Sequence, residues 1–383
     1  MKRPHFFNLV KRYLKSHPIV AILGPRQCGK TTLAREYCES VSAFSKSNYF
    51  DLESPVDLER LKNPMLTLQS LTGLIVIDEV QRFPDLFSIL RVLVDNKKLD
   101  QKYLILGSAS KELLRQSSES LAGRISYLEL TPFNLEEASD LKRLWLYGGF
   151  PKSYLAKNDE ESFDWRSFYI RTLLEQDIPN LGIQIPPETL QRFWSMLAHY
   201  HGNIFNASEL GRSFGVSDAT VRKYLDILTR TFMVRQLQPW HVNLKKRQVK
   251  APKIYFRDSG LLHSLLRIKD KEELFCHPKL GASWEGFALE EVVRSQKSIH
   301  QDCYFWSTYG GAEIDLVLPL KDGAIGIEFK YSDAPKLTKS MQIALKDLDL
   351  KHLYVIYPGE VDYPLSEKIT VKSLSSYLNE QSL

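Results

Sequence analysis

The stretch ILGPRQCGKTTL, residues 22–33, restricts this chain more tightly than any other part of its sequence. Gly24, Gly29, Lys30 and Thr31 fit the spacing G-x-x-x-x-G-K-[ST]. In that pattern a glycine-rich turn brings backbone N–H groups against phosphates, the lysine reaches the β- and γ-phosphates, and the hydroxyl meets a magnesium ion. PIVAIL ahead of the turn reads as a buried strand and KTTLAREYCES behind it as a helix. A bound anion then faces a helix N-terminus, where unpaired amides and the macrodipole favour negative charge. This order predicts a site for ATP and Mg²⁺ built from Gly24, Pro25, Arg26, Gln27, Cys28, Gly29, Lys30, Thr31 and Thr32.

The competing reading, an empty glycine turn, leaves the next acidic strand unexplained. GLIVIDEVQ, residues 73–81, is an apolar run ending in Asp78 and Glu79. Asp78 is expected in the Mg²⁺ shell and Glu79 beside the attacking water. KYLILGSAS, 102–110, ends in Ser108 and Ser110, which either sense the γ-phosphate or simply begin a turn or cap a helix. With NYFDLES (48–54) and SYLEL (126–130), five strands alternate with helical segments. The expected fold class is α/β, a P-loop doubly wound parallel sheet with its ligand at the carboxyl ends of the strands. The start, MKRPHFFNLVKRYLK, is basic, yet Phe6, Leu9, Val10, Tyr13 and Leu14 recur at helical spacing and predict a packed amphipathic helix.

At 383 residues the chain is long enough for two or three domains. A net charge of +5 is too mild to argue for nucleic acid unless local clusters do. Cys28, Cys38, Cys276 and Cys303 have no ligand-like spacing, which argues against a zinc ribbon or disulfide framework and fits a cytoplasmic location. No apolar stretch approaches the ~18 residues of a membrane span, so no membrane partner is expected. Cys28 inside the loop reads as an inert small residue rather than a redox switch.

Beyond GGFP (148–151) the chain is helical up to Pro186-Pro187, a boundary signal. NASELGRSFGVSDATVRKYLDILTR then reads as helix, Gly215 turn and a second helix capped by Ser217, followed by an extended wing. In a DNA reader that helix offers Thr220, Arg222 and Lys223, and the wing offers Lys245, Lys246, Arg247 and Lys250 to phosphates. Asp218 opposes such contact, and a purely structural wing is the alternative. APKIYFRDSGLL (251–262) leaves Asp258 without a derivable role. Further on, Glu285 falls in a helix, Asp315 in a strand, and Glu328 with Lys330 in a second strand across the turn PLKDGA. Those are the parts of a PD-(D/E)xK nuclease and a possible second Mg²⁺ site. The alternative is a fold retained for binding alone.

Gly24-Pro-Arg-Gln-Cys-Gly-Lys-Thr31, Asp78-Glu-Val-Gln81, Gly107-Ser-Ala-Ser110, Leu121-Ala-Gly-Arg124 and Gly148-Gly-Phe-Pro151 together resemble prokaryotic AAA-type ATPases fused to a C-terminal domain of unknown function. The stretch at 251–262 matches that family as well. The resemblance implies an ATPase domain at 1–138, a helical lid or connector at 139–187, a winged helix at 188–250 and an α/β nuclease-like domain at 251–383. It also implies that Arg124 is an arginine finger serving a neighbouring subunit, hence a homo-oligomer. The plain alternative is that Arg124 closes a helix C-terminus. The expected function is an ATPase that couples hydrolysis to DNA binding or remodelling. The alternatives are a nucleotide-controlled signalling or scaffold protein with protein partners, and an ATP-gated nuclease.

Overall fold

The computed structural model describes residues 2–42, 44–108, 120–241, 249–296 and 302–382. The chain divides into two compact units, residues 1–132 with 230–232, and residues 133–229 with 233–383.

In the first unit, strands β1 (Ile19–Leu23), β2 (Tyr49–Asp51), β3 (Gly73–Asp78), β4 (Gln101–Gly107) and β5 (Ile125–Glu129) form one sheet in the order β2-β3-β4-β1-β5. Every pairing is parallel. Strands covered on both faces read as unbroken apolar runs, and all five residues of β1 are buried. Val20 and Ile22 point to a cluster with Phe6, Val10 and Leu14 of the helix Pro4–Ser16. Ile19, Ala21 and Leu23 point to the other face, against Phe87 and Leu90 of the helix Leu86–Asp95. Burial of each such side chain is worth about 1.5–3 kcal/mol. All five strands expected from the sequence are present, and the basic N-terminal segment is a packed helix.

The second unit opens with the helices Leu141–Tyr147, Pro151–Tyr154 and Asp159–Thr172; the last runs through a π-helical turn, Leu173–Asp177, into Ile178–Asn180. The helix Pro187–His199 begins at the double proline. The helices Ala207–Phe214 and Asp218–Arg230 follow, joined at Gly215, whose φ of 69° ends the first. The remaining strands are β6 (Asn203–Ile204), β7 (Val234–Pro239), β8 (Lys253–Phe256), β9 (Tyr304–Ser307), β10 (Glu313–Leu320), β11 (Gly323–Phe329), β12 (His352–Tyr357), β13 (Tyr363–Ser366) and β14 (Ile369–Ser373). They make one sheet, ordered β13-β14-β12-β11-β10-β9-β7-β8-β6.

The hairpin β10–β11 closes at Leu320 and Gly323 as expected. The helix Lys339–Asp347 crosses from β11 to its parallel neighbour β12. Because β7 pairs with β8 on one side and β9 on the other, the segments expected as winged helix and nuclease-like domain contribute to the same sheet. They also share a core, in which Trp194, Leu228, Trp284, Leu316 and Ile327 belong to one cluster. No helix among the described residues is long and apolar enough to cross a membrane.

Candidate functional site

The glycine-rich turn leaves β1 at the carboxyl edge of the first sheet. A Cβ on Gly24 would stand 2.2 Å from the Leu130 carbonyl oxygen, so only glycine fits there. Arg3 fastens the same region, donating to the carbonyls of Cys28 (3.1 Å) and Thr131 (2.8 Å), a clamp the sequence did not signal. Gly29 (φ 101°) precedes the helix Lys30–Ser40 and gives it no side-chain cap, so its first amides have no local acceptor from that position.

Lys30 is buried and its Nζ donates to the carbonyls of Gly24 (3.0 Å) and Pro25 (2.8 Å). Thr31 Oγ1 donates to Asp78 Oδ2 at 2.9 Å, bringing together the two residues expected to share Mg²⁺. Tyr49 on β2 donates its phenol to the same carboxylate oxygen at 2.8 Å. Burial and the Asp78 charge push that phenol far above its ordinary range, so it stays a donor. Tyr49 was missed in the sequence, although β2 lying beside β3 sets it level with Val76.

Glu79 sits in the left-handed region (φ 57°) and accepts a hydrogen bond from Gln81. Burial raises its carboxyl above the usual range, against the lowering effect of Lys30. An uncapped helix start, a lysine and a hydroxyl–carboxylate pair of hard oxygen donors fit a nucleoside triphosphate with Mg²⁺.

The other loop residues are more dispersed. Arg26 donates to Glu53 (2.6 Å), and Gln27 and Thr32 are exposed. The Cys28 thiol is buried and donates to the Leu130 carbonyl; burial pushes it upward, away from a reactive thiolate. Ser108 directly follows β4, between β3 and β1 in the sheet, and is partly exposed. Ser110 lies outside the described residues.

Arg124 is at the opposite edge of the sheet, where its carbonyl accepts from Ile19 N at the amino end of β1. The P-loop leaves the other end, about 13 Å away at ~3.3 Å per residue. Its guanidinium grips Asp95 with two bonds (Nε–Oδ1 2.7 Å, Nη2–Oδ2 2.9 Å) and is not brought to its own chain's nucleotide loop.

In the second unit, Ser217 Oγ accepts from Thr220 N (3.2 Å) as the expected cap. Arg222 and Lys223 are exposed while Val221, Tyr224 and Leu225 are buried. Thr220 is half-buried and bonded to Ser217. Asp218 accepts from Ser208 Oγ at 2.6 Å and ties the two helices together. Lys250 is exposed; Lys245, Lys246 and Arg247 lie outside the described residues.

The acidic residues further along do converge, but around a lysine that sequence reasoning overlooked. Lys253 on β8 lies 3.1 Å from Asp315 Oδ1 and 3.5 Å from Glu285 Oε1, and also contacts Glu313. Tyr255 donates to Glu285 Oε1 (2.5 Å), Phe329 N to Asp315 Oδ2 (3.0 Å) and Lys330 Nζ to Glu328 Oε1 (2.5 Å). Burial first, then the Asp315 charge, pushes Glu285 and Glu328 upward. Among the described residues no three His, Cys, Asp or Glu side chains are grouped to hold a metal ion.

Asp258 has a role after all. Its Oδ1 accepts from Leu261 N (2.9 Å) as N-cap of the helix Ser259–Leu265, and its Oδ2 accepts from Gly149 N (2.8 Å). Gly148, at φ 75°, leaves the room: a Cβ there would lie 2.1 Å from Asp258 Oδ1. The GGFP and RDSGLL stretches are therefore two halves of one buried contact.

An AAA domain family matches residues 16–139, a domain of unknown function (DUF8612) residues 138–272, and a second one (DUF4143) residues 280–377. Two uncharacterized mycobacterial proteins, Mb2031c of Mycobacterium bovis and Rv2008c of Mycobacterium tuberculosis, are each 47% identical over 376 residues, covering 98% of this chain and 84% of theirs. Among solved structures, a Walker-type ATPase of Pyrococcus abyssi aligns over 69% of this chain and 95% of its own, at 14% identity and a TM-score of 0.45. A Thermotoga maritima RuvB aligns over 60% and 85%, at 16% identity and a TM-score of 0.30. The chain belongs to the family of the two mycobacterial proteins, in which an AAA-type P-loop ATPase domain is joined to a C-terminal domain of unknown function.

Proposed function

We propose that this protein binds ATP with Mg²⁺, hydrolyses it, and couples turnover to DNA held by its second unit. The Thr31–Asp78 hydrogen bond, with Glu79 next in the chain, carries this reading: it joins hydroxyl and carboxylate beside a buried lysine at a helix start. Lys30 would exchange its two loop carbonyls for phosphate oxygens, and Thr31 and Asp78 would hold the metal. Mg²⁺, when bound, neutralises phosphate charge. Glu79 releases Gln81 and aims the attacking water; its raised basicity suits a proton acceptor. Ser108 stands by for the γ-phosphate. Arg124, remote from its own loop, serves that of a second copy once freed from Asp95, and so requires an oligomer.

Arg222, Lys223 and Lys250, with Lys245, Lys246 and Arg247, provide the phosphate contacts. The engagement of Asp218 by Ser208 weakens its repulsion of a nucleic-acid backbone. A second reading has one observation in its favour. Asp218 and Asp226 share the exposed surface of the second helix with Arg222 and Lys223, and such mixed charge suits a protein partner of a nucleotide-controlled scaffold.

Turnover measured for wild type and Glu79→Gln across single-stranded, duplex and branched DNA tests both. Stimulation by DNA that fades steeply with salt supports the first reading, and indifference to DNA supports the second. Glu79→Gln is expected to keep ATP binding and lose about 10²–10⁴-fold in rate. A wild-type protein that takes up no ATP in calorimetry overturns the proposal.

A further inference from the structure

The carboxylate cluster of the second unit already contains a cation. Glu285, Glu313 and Asp315 all lie against the Lys253 ammonium. Glu328 falls opposite Asp315, one register step beyond the pair Leu316 and Ile327. A helical glutamate, a strand aspartate and Glu-x-Lys on the partner strand imply a divalent metal. The residues present do not fit one, because the positive charge at their centre belongs to the protein.

Nor can Lys253 readily withdraw. It is 2% exposed and lies on β8, between β6 and β7, with Nζ 5.8 Å from the centre of the Phe305 ring. A divalent ion entering the same carboxylates would meet a full like charge in a space shielded from water. The ammonium offsets part of the acids' charge but is no Lewis acid, and cannot turn a bound water into hydroxide at neutral pH as a metal does. One acceptor, Glu328 Oε2, is buried without a hydrogen-bond partner.

We infer that the Lys253 ammonium is the resident cation of this cluster, and that the nuclease-like part of the chain holds no divalent metal and cuts no nucleic acid. This goes beyond the ATPase reading and does not depend on it.

The test uses the full chain without nucleotide, with Asp78→Asn in every sample to remove the carboxylate expected to hold metal at the ATP site. Mn²⁺ binding is followed by electron paramagnetic resonance. With Lys253 present, no Mn²⁺ is held by the cluster. Lys253→Met, which keeps the apolar stem, is expected to gain one bound Mn²⁺ at concentrations at least about tenfold below those at which the Lys253 protein shows none, and adding Asp315→Asn abolishes the gain. Mn²⁺ bound with Lys253 in place and lost on Asp315→Asn overturns the inference, as does a folded Lys253→Met protein that gains none. Should Lys253→Met fail to fold, supercoiled plasmid incubated with wild type and Mn²⁺ decides: intact plasmid supports the inference, and nicking removed by Asp315→Asn refutes it.

Discussion

Replacing Asp258 by alanine should cripple the second unit while leaving the first intact. Both carboxylate oxygens accept, from Gly149 N at 2.8 Å and Leu261 N at 2.9 Å, the pattern of an ionised group even though burial raises its pKa. Hydrogen bonds to a charged group contribute about 1.5–3 kcal/mol each. The truncation also strands two buried amides and takes a counter-charge from Arg166, which is fully buried. A water filling the space recovers part of this, so the expected loss is about 3–5 kcal/mol. Asp258→Asn keeps one acceptor and should lose roughly half as much. All six tryptophans lie in the second unit, so urea unfolding followed by tryptophan fluorescence reports on that unit alone. A loss under about 1 kcal/mol for the alanine variant would refute the idea that this carboxylate joins the GGFP and RDSGLL stretches.

Other expectations follow from the same geometry. Gly24→Ala forces a methyl onto the Leu130 carbonyl, and should cost about 1–3 kcal/mol by thermal melting and weaken ATP binding in calorimetry. Arg124→Ala should retain ATP binding and lose turnover, whereas Asp95→Ala, which frees the guanidinium, should retain both; unchanged turnover in Arg124→Ala excludes the finger role. Acid should unfold the second unit steeply. Burial holds His201 and His263 at about 3, below the ordinary imidazole value, so the unfolded chain gains their protons as pH falls through 6.5 and stability drops. Glu291, raised to about 7 by burial, opposes them only above its unfolded value near 4.5. Glu290 also suffers burial, but Arg235, Arg257 and Arg294 outweigh it and hold the group at about 2, so its contribution is lost below pH 4.5 as well. Below pH 4.5 these three lowered groups act together, at about 4 kcal/mol per pH unit. A tryptophan-monitored melting temperature that stays flat from pH 5 to 3.5 would contradict this assignment.

What could be read in the sequence was whatever depends on near neighbours. The P-loop announced itself because a turn, a helix start and a lysine must be contiguous to surround phosphates, and the central strands β1, β3 and β4 because burial on both faces leaves long apolar runs. Hairpin alternation likewise set Asp315 and Glu328 on one face. Partners supplied from far away were not legible. Arg3 reaches the loop across 25 residues, Gly149 meets Asp258 across 109, and Lys253 enters the acidic cluster from a strand 62 residues before Asp315.

The last case changes the chemistry and not merely the packing. Helix Glu, strand Asp and Glu-x-Lys specify a shape and a surplus of negative charge, but not the source of the compensating cation. A sheet that brings β8 under the same carboxylates supplies it covalently, and an ammonium fixed in the chain holds the acids together without activating water. Only the tertiary pairing of strands separates a hydrolytic centre from one ion-paired within the chain, because the two share the same acidic residues in the same order.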